Sequence, residues 1–151
     1  MQFTHEVDWT ASDFMFAGVL IGGVGLAAEL TVRRTQVTAY RAGVGLALAA
    51  AFLTVSADAA VGLIGHGPNA FNLAFVGVIP LALLAAAVVR FRAAAMARTM
   101  GLVALADIVI AVAGITRDAR GGLFSLSFVH PWLLAAMLFQ RAAHQPQKSA
   151  P

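Results

Sequence analysis

Three side chains that could carry chemistry lie inside apolar segments of the chain. Asp58 and Asp107 interrupt runs of Ala, Val, Leu and Ile, and His130 lies within a third run. Carboxylates and imidazole can bind cations or relay protons. An acid turned toward lipid costs on the order of 3 kcal/mol, so such a residue is expected to face other helices. Whether the three side chains meet depends on the elements that hold them.

The composition is that of an integral membrane protein. The 151 residues are 60% hydrophobic and 11% charged, with a mean hydropathy of +0.84, whereas soluble domains are about half apolar and about a quarter charged. A membrane-spanning helix needs about 20 residues, which leaves room for four or five spans and for no soluble domain. The absence of Cys excludes disulfides and thiolate sites. The basic residues are dispersed among short loops, so we expect no nucleic-acid partner.

The apolar runs predict an all-α bundle of five transmembrane helices. They cover residues 14–30, 42–64, 71–89, 99–115 and 123–139. A capping-box spacing of Thr10 and Asp13 and a staple of Trp9 with Phe14 mark the start of the first helix. We expect a tail over 1–12, one bundle over 13–140 and a disordered cytoplasmic tail over 141–151. The fifth run is short and contains "HPW", so four spans followed by a helix lying on the membrane surface is the alternative.

Arginines alternate between the predicted loops. Three follow the first span and three follow the third, whereas the N-terminal tail and the second loop have none; these six are Arg33, Arg34, Arg41, Arg90, Arg92 and Arg98. Since cytoplasmic loops are enriched in basic residues, the N-terminus is expected outside. Arg117 and Arg120 are exceptions to this rule, since they follow the fourth span in a loop expected outside. Arg141 and Lys148 follow the fifth span and are expected in the cytoplasm. The high Ala and Arg content with a single Lys suggests a GC-rich bacterial genome.

Small residues follow helical spacing on three of the predicted spans. Within a bilayer such stripes mark faces where helices pack closely. Each stripe contains an acid, so every intramembrane carboxylate is expected on a packing face. Glu29 has Arg33 one turn away as a partner. The stripes comprise Gly18, Gly22, Gly25 and Glu29; Ala47, Ala51, Thr54, Asp58 and Gly62; and Ala104, Asp107, Ala111 and Gly114.

The depths of the three side chains predict a single polar layer in the outer leaflet. At about 1.5 Å per residue, Asp58, Asp107 and His130 lie about 9, 12 and 10 Å below the outer ends of their spans. Thr54 and Ser127 add hydroxyl groups to this layer. Asp13, His66, Asn69 and Asn72 are expected to form a polar rim outside it. The loop "GLIGHGPNAFN" is expected to be a tight turn, because it lacks the ending of a phosphate-binding loop.

Two interpretations of the layer remain open. In the structural one, the carboxyl groups are neutral or hydrogen-bonded and hold the second, fourth and fifth helices together. In the functional one, two carboxylates and an imidazole open to the outside bind a cation or relay a proton. The ligand spacing is not diagnostic of a metal, and no catalytic motif is present. We therefore expect no metal site, no cofactor and no enzymatic activity.

An ordered set of motifs runs from Trp9 to Ala143. It comprises W-x-x-x-D-F, "AYRAGVGLALAAAFL", "AVGLIG" followed by "NAFNLAFVGV", and "LLAAMLFQRAA". With these motifs the chain resembles a group of small uncharacterised bacterial membrane proteins. The resemblance implies a multi-pass inner-membrane protein and supplies no activity, ligand or site.

The sequence thus predicts a non-enzymatic membrane protein, either an accessory subunit or a self-assembling one. Its expected partners are the lipid bilayer and either further copies of itself or a larger membrane complex. The alternative is a proton- or cation-linked transporter or channel that uses Asp58, Asp107 and His130.

Overall fold

The structure, a computed structural model, describes residues 10–65, 67 and 69–145. Within these residues it is all-helical and has no strand. The elements are α1 (Ala11–Arg34), α2 (Thr38–Val61), α3 (Ala70–Val88), α4 (Ala93–Ile115), α5 (Ala119–Ser125), a 3-10 turn (Leu126–Phe128) and α6 (Val129–His144).

Five helical segments are long and apolar enough to cross a membrane. Four are formed by α1 to α4, and the fifth is the 26-residue run Ala119–His144, which joins α5, the 3-10 turn and α6. The predicted number of five is confirmed, and five such helices suggest a multi-pass membrane protein. The helices extend into both of the stretches that we expected to be tails: α1 begins at Ala11, and α6 continues to His144. Residues 1–9 and 146–151 lie outside the described residues.

The fifth segment accommodates its proline without a break. Pro131 lies in the first turn of α6 and has no N–H to donate to the carbonyl of Ser127, four residues before it. Nδ1 of His130 donates to that carbonyl instead, at 3.2 Å. The segment therefore changes from 3-10 to α geometry and stays helical throughout.

Helix α6 is the centre of the bundle. It packs most extensively against α4 and α2, and its buried face includes Trp132, Ala135 and Phe139. Phe139 is fully buried and packs closely over Gly43 of α2, where a Cβ atom would lie 3.3 Å from its ring. α3 packs mainly on α4, whereas α1 packs mainly on α2. The core therefore lies between α2, α4 and α6, and α1 lies at the edge.

The alternating direction of the helices gives the bundle two different ends. One end, which we call the arginine end, carries Arg33, Arg34, Arg41, Arg90, Arg92, Arg98 and Arg141. The other, the loop end, carries the α2–α3 loop (residues 62–69) and the start of α5. At the arginine end Glu29 pairs with Arg33 at 2.6 Å, as expected.

Candidate functional site

The α2–α3 loop folds back into the bundle instead of forming a plain turn. Leu63 and Ile64, which we call the plug, are 1% and 0% exposed. Ile64 lies against Gly114 of α4 so closely that a Cβ atom there would overlap its side chain. The backbone reverses at Gly62 and Gly65, whose φ angles of 74° and 68° favour glycine. The expected tight turn is therefore a packed loop.

Two asparagines at the start of α3 hold the plug from one side: Asn69, which precedes the helix, and Asn72, which lies in its first turn. Oδ1 of Asn72 accepts from the backbone N–H of Ile64 at 2.9 Å, and Nδ2 of Asn69 donates to the carbonyl of Ile64 at 2.7 Å. Oδ1 of Asn69 also caps α3 by accepting from the N–H groups of Phe71 and Asn72. The two predicted rim residues are thus structural hydrogen-bonding groups, and Asn72 is buried.

The fifth segment holds the plug from the other side. Oδ2 of Asp118 accepts from the N–H of Gly65 at 3.0 Å. The hydroxyl of Ser125 shares its hydrogen between the carbonyl of Gly121, at 2.8 Å, and that of Leu63, at 3.3 Å. Buried backbone polar groups need such partners, and non-helical backbone at membrane depth needs them most. The apolar plug can therefore lie inside the bundle although it is not helical.

A groove of about 930 Å³ lies beside this loop, between the end of α2 and the start of α3. Among the described residues that line it, Asp58 is the only charged one. Its Oδ1 atom is buried and has no hydrogen-bond partner in the described chain, although the N–H of Leu63 lies near the carboxyl group. The lining residues are Asp58, Ala59, Ala60, Val61, Gly62, Gly67, Asn69, Asn72, Leu73 and Val76.

Asp107 occupies a different place, on the face of α4 that packs against α6. Its side chain is 1% exposed, and the indole of Trp132 lies beside the carboxyl group. The two groups do not reach hydrogen-bond geometry, since Oδ2 of Asp107 and Nε1 of Trp132 are both buried without a partner. Ala104 and Ala111, which share this face, are fully buried. Asp107 therefore points into the core and not toward lipid.

His130 lies on the exposed side of α6, about 200° around the helix from Trp132. Its ring bonds to Ser127 within its own segment, and the exposed hydroxyl of Ser127 donates to Phe124. Thr54 is buried, but its hydroxyl donates to the carbonyl of Ala50 one turn back. These three predicted members of the layer therefore use their hydrogen bonds locally.

With the observed helix ends, the three side chains of the predicted layer lie at different distances from the loop end of the bundle. Asp58 lies three residues before Val61, about 4.5 Å along the helix; Asp107 lies about 12 Å from the end of α4, and His130 about 16 Å from the start of α5. No hydrogen bond or ion pair between described residues joins any two of these side chains. Within residues 10–65, 67 and 69–145, no three His, Cys, Asp or Glu residues could hold a metal ion.

Within the part of the chain that the structure describes, the three glycines of the predicted packing stripe on α1 do not pack against another helix, unlike the stripe on α4. No atom of the described residues outside α1's own backbone lies within 4 Å of a Cβ atom built on Gly18, Gly22 or Gly25. The stripe of α1 therefore meets no other helix of the described chain. Asp13 lies in α1, but its side chain, like the whole of His66, lies outside what the structure describes.

Sequence reasoning missed three residues that matter here, Asp118, Ser125 and Trp132. Asp118 precedes Gly121 with the spacing of a helix cap, and Oδ1 of Asp118 accepts from the N–H groups of Arg120 and Gly121. A tryptophan in an apolar segment signals a buried N–H that needs an acceptor. No signal in the sequence indicates that Ser125 reaches Leu63, because 62 positions separate them.

Comparison of the chain with protein-family models, with curated proteins and with solved structures finds no match.

Proposed function

We propose that this chain is a multi-pass protein of the bacterial inner membrane that acts as a non-enzymatic subunit and assembles through α1. Its partner is a second copy of the chain or another membrane protein. The N-terminus lies outside, and the arginine end lies in the cytoplasm.

The state of α1 is the observation that carries this proposal. Its membrane-length segment has no buried residue, whereas 17% to 39% of the equivalent segments of the other four helices is buried. Gly18, Gly22 and Gly25 leave an open strip along this helix. Helices in a bilayer associate by close van der Waals contact between small residues. A glycine strip against lipid gains none of that contact, so a further helix on this face would stabilise the protein.

The arginines support the proposed orientation. The arginine end carries seven Arg residues, and Glu29, the one acid near it in the described chain, is paired with Arg33. At the loop end lie Arg117 and Arg120, together with Asp118. Cytoplasmic loops are the ones enriched in Arg and Lys.

Co-purification tests the proposed assembly. Two copies of the chain with different affinity tags are expressed together, extracted in mild detergent and purified through one tag. We expect the second copy, or a stoichiometric native partner, in the eluate. Gly22→Leu fills the strip of α1 and should lower the recovered partner about tenfold.

Gly45→Leu is the matched control, because Gly45 is exposed on α2 and a Cβ atom there meets nothing within 4 Å. It should leave recovery unchanged. A wild-type chain that elutes alone, or equal losses in both variants, would contradict assembly through α1.

The alternative of a proton- or cation-linked transporter has less support. It requires Asp58, Asp107 and His130 to act together, and these side chains share no hydrogen bond in the described chain. The open groove at Asp58 and the buried carboxyl of Asp107 are separate features with separate neighbours.

A further inference from the structure

The groove between α2 and α3 offers hydrogen-bond acceptors. The carboxyl group of Asp58 lines the groove and is partly exposed, although its Oδ1 atom is itself buried. The carbonyls of Ala59, Ala60 and Val61 belong to the last turn of α2, where the helix supplies no further N–H. No backbone N–H of the described residues donates to these three carbonyls. Within the described part of the chain, these carbonyls and the exposed part of the Asp58 carboxylate can therefore accept hydrogen bonds from a ligand.

The side-chain donors among the described lining residues are already engaged, and the one charged residue among them is acidic. Nδ2 of Asn69 donates to Ile64 and Gly67, and Nδ2 of Asn72 donates to Gly67. The C-terminal end of a helix carries a partial negative charge, which adds to the carboxylate of Asp58. The groove is thus complementary to a cationic group that donates hydrogen bonds.

The rest of the groove is apolar and far larger than an inorganic ion. Its volume is about 930 Å³, and Val61, Leu73 and Val76 form its walls. Val61 and Leu73 are 64% and 73% exposed, so the groove is open on the side that a bilayer would cover. Asp58 lies about 4.5 Å along α2 from the helix end; in a helix that spans the bilayer, as proposed above, this would be near the boundary between lipid head groups and their chains. These features fit an amphiphile with a cationic head and an apolar chain.

We propose that this groove binds a bilayer lipid whose head group carries a primary amine, with the ammonium on Asp58 and an acyl chain along Leu73 and Val76. The proposal rests on the membrane insertion proposed above. A primary ammonium has N–H groups to give to the partly exposed carboxylate of Asp58, whereas the quaternary ammonium of choline has none. The site should therefore prefer ethanolamine to choline head groups.

Native mass spectrometry tests this preference. The full chain is placed in nanodiscs made from equal amounts of dioleoyl phosphatidylethanolamine, phosphatidylcholine and phosphatidylglycerol, and the lipids retained on the released protein are counted. We expect a single retained phosphatidylethanolamine, about tenfold enriched over phosphatidylcholine. The free energy of one hydrogen bond to a charged group corresponds to about a tenfold difference in affinity. Asp58→Asn should abolish the enrichment.

A second pair of variants tests the groove without changing Asp58. Leu73→Trp fills the groove from an exposed position and should also abolish the enrichment. Leu81→Trp, on the same helix and similarly exposed, lies outside the groove lining and should retain it. Equal retention of the two lipids, a retained sodium or potassium ion in place of lipid, or enrichment that survives Asp58→Asn would overturn the site.

The outcomes separate the two proposals. A chain that does not enter the nanodisc would overturn both membrane insertion and the lipid site. A chain that enters as a monomer but retains the amine lipid would contradict assembly through α1 and support the lipid site.

Discussion

Asp107 and Asn72 are both buried polar side chains with the same branching, but they differ in their partners. Asn72 is bonded to Ile64 and Gly67, whereas Oδ2 of Asp107 has no partner. Removing a hydrogen-bonded group leaves its partners buried without a bond and lowers the free energy of unfolding by about 1–3 kcal/mol. Removing an unbonded polar group instead removes the cost of its desolvation. Two substitutions by leucine, which has the same branching, should therefore have opposite effects.

Asn72→Leu should lower the free energy of unfolding by about 1–3 kcal/mol, because it leaves the N–H of Ile64 buried and unbonded. Unfolding in mixed micelles of mild detergent and dodecyl sulfate, followed by circular dichroism, measures the change. An unchanged unfolding midpoint would show that the plug does not depend on this side chain.

Asp107→Leu should leave the unfolding midpoint unchanged or raise it in the same assay. The substitution removes a buried carboxyl group whose Oδ2 atom has no hydrogen-bond partner among the described residues, and apolar replacements of such groups are often neutral or stabilising. A loss as large as that of Asn72→Leu would instead mean that the carboxyl group has a partner in the membrane, and would favour a functional role for it.

At the scale of the elements, α4 provides a paired test of the plug. A Cβ atom on Gly114 would overlap Ile64, whereas one on Gly101 of the same helix meets nothing within 4 Å. Gly114→Ala should lower the free energy of unfolding by about 1–3 kcal/mol through overpacking. Gly101→Ala should raise it by up to about 1 kcal/mol through higher helix propensity. Equal effects of the two substitutions would contradict the contact between the plug and α4.

The helices could be predicted from hydropathy because each needs an apolar stretch of membrane length, but their ends could not. The predicted second span ran to Ile64, whereas α2 ends at Val61. The apolar side chains of Leu63 and Ile64 are buried in the bundle by a loop, so hydropathy alone extends the predicted span past the end of the helix. The predicted fourth span began at 99, whereas α4 begins at Ala93; the helix includes Arg98, which at a membrane boundary can extend its long side chain to water.

The predicted polar layer depended on those ends and on the direction of each side chain. Moving the end of α2 from 64 to 61 brings Asp58 about 4.5 Å nearer the loop end. His130 was assigned to the layer by depth alone, but its position on α6 turns it away from the buried face that holds Trp132. Helical spacing did place Asp107 correctly, since its stripe with Ala104 and Ala111 is the buried face of α4.

At the scale of the whole molecule, the charge difference between the two ends gives a test of orientation. Green fluorescent protein fused after residue 151 should fluoresce, and alkaline phosphatase at the same place should be inactive, because both report a cytoplasmic C-terminus. The opposite result would contradict the proposed orientation.

The hydrogen bond between Gly65 and Asp118 joins residues 53 positions apart, and this distance sets an order of events during synthesis. At about 5–20 residues per second, the ribosome needs several seconds after making the α2–α3 loop to supply its last partners. During that interval the hairpin of α2 and α3 holds Leu63 and Ile64 without their final neighbours. The plug thus locks last, and a nascent chain halted after α4 should still expose this loop to a protease.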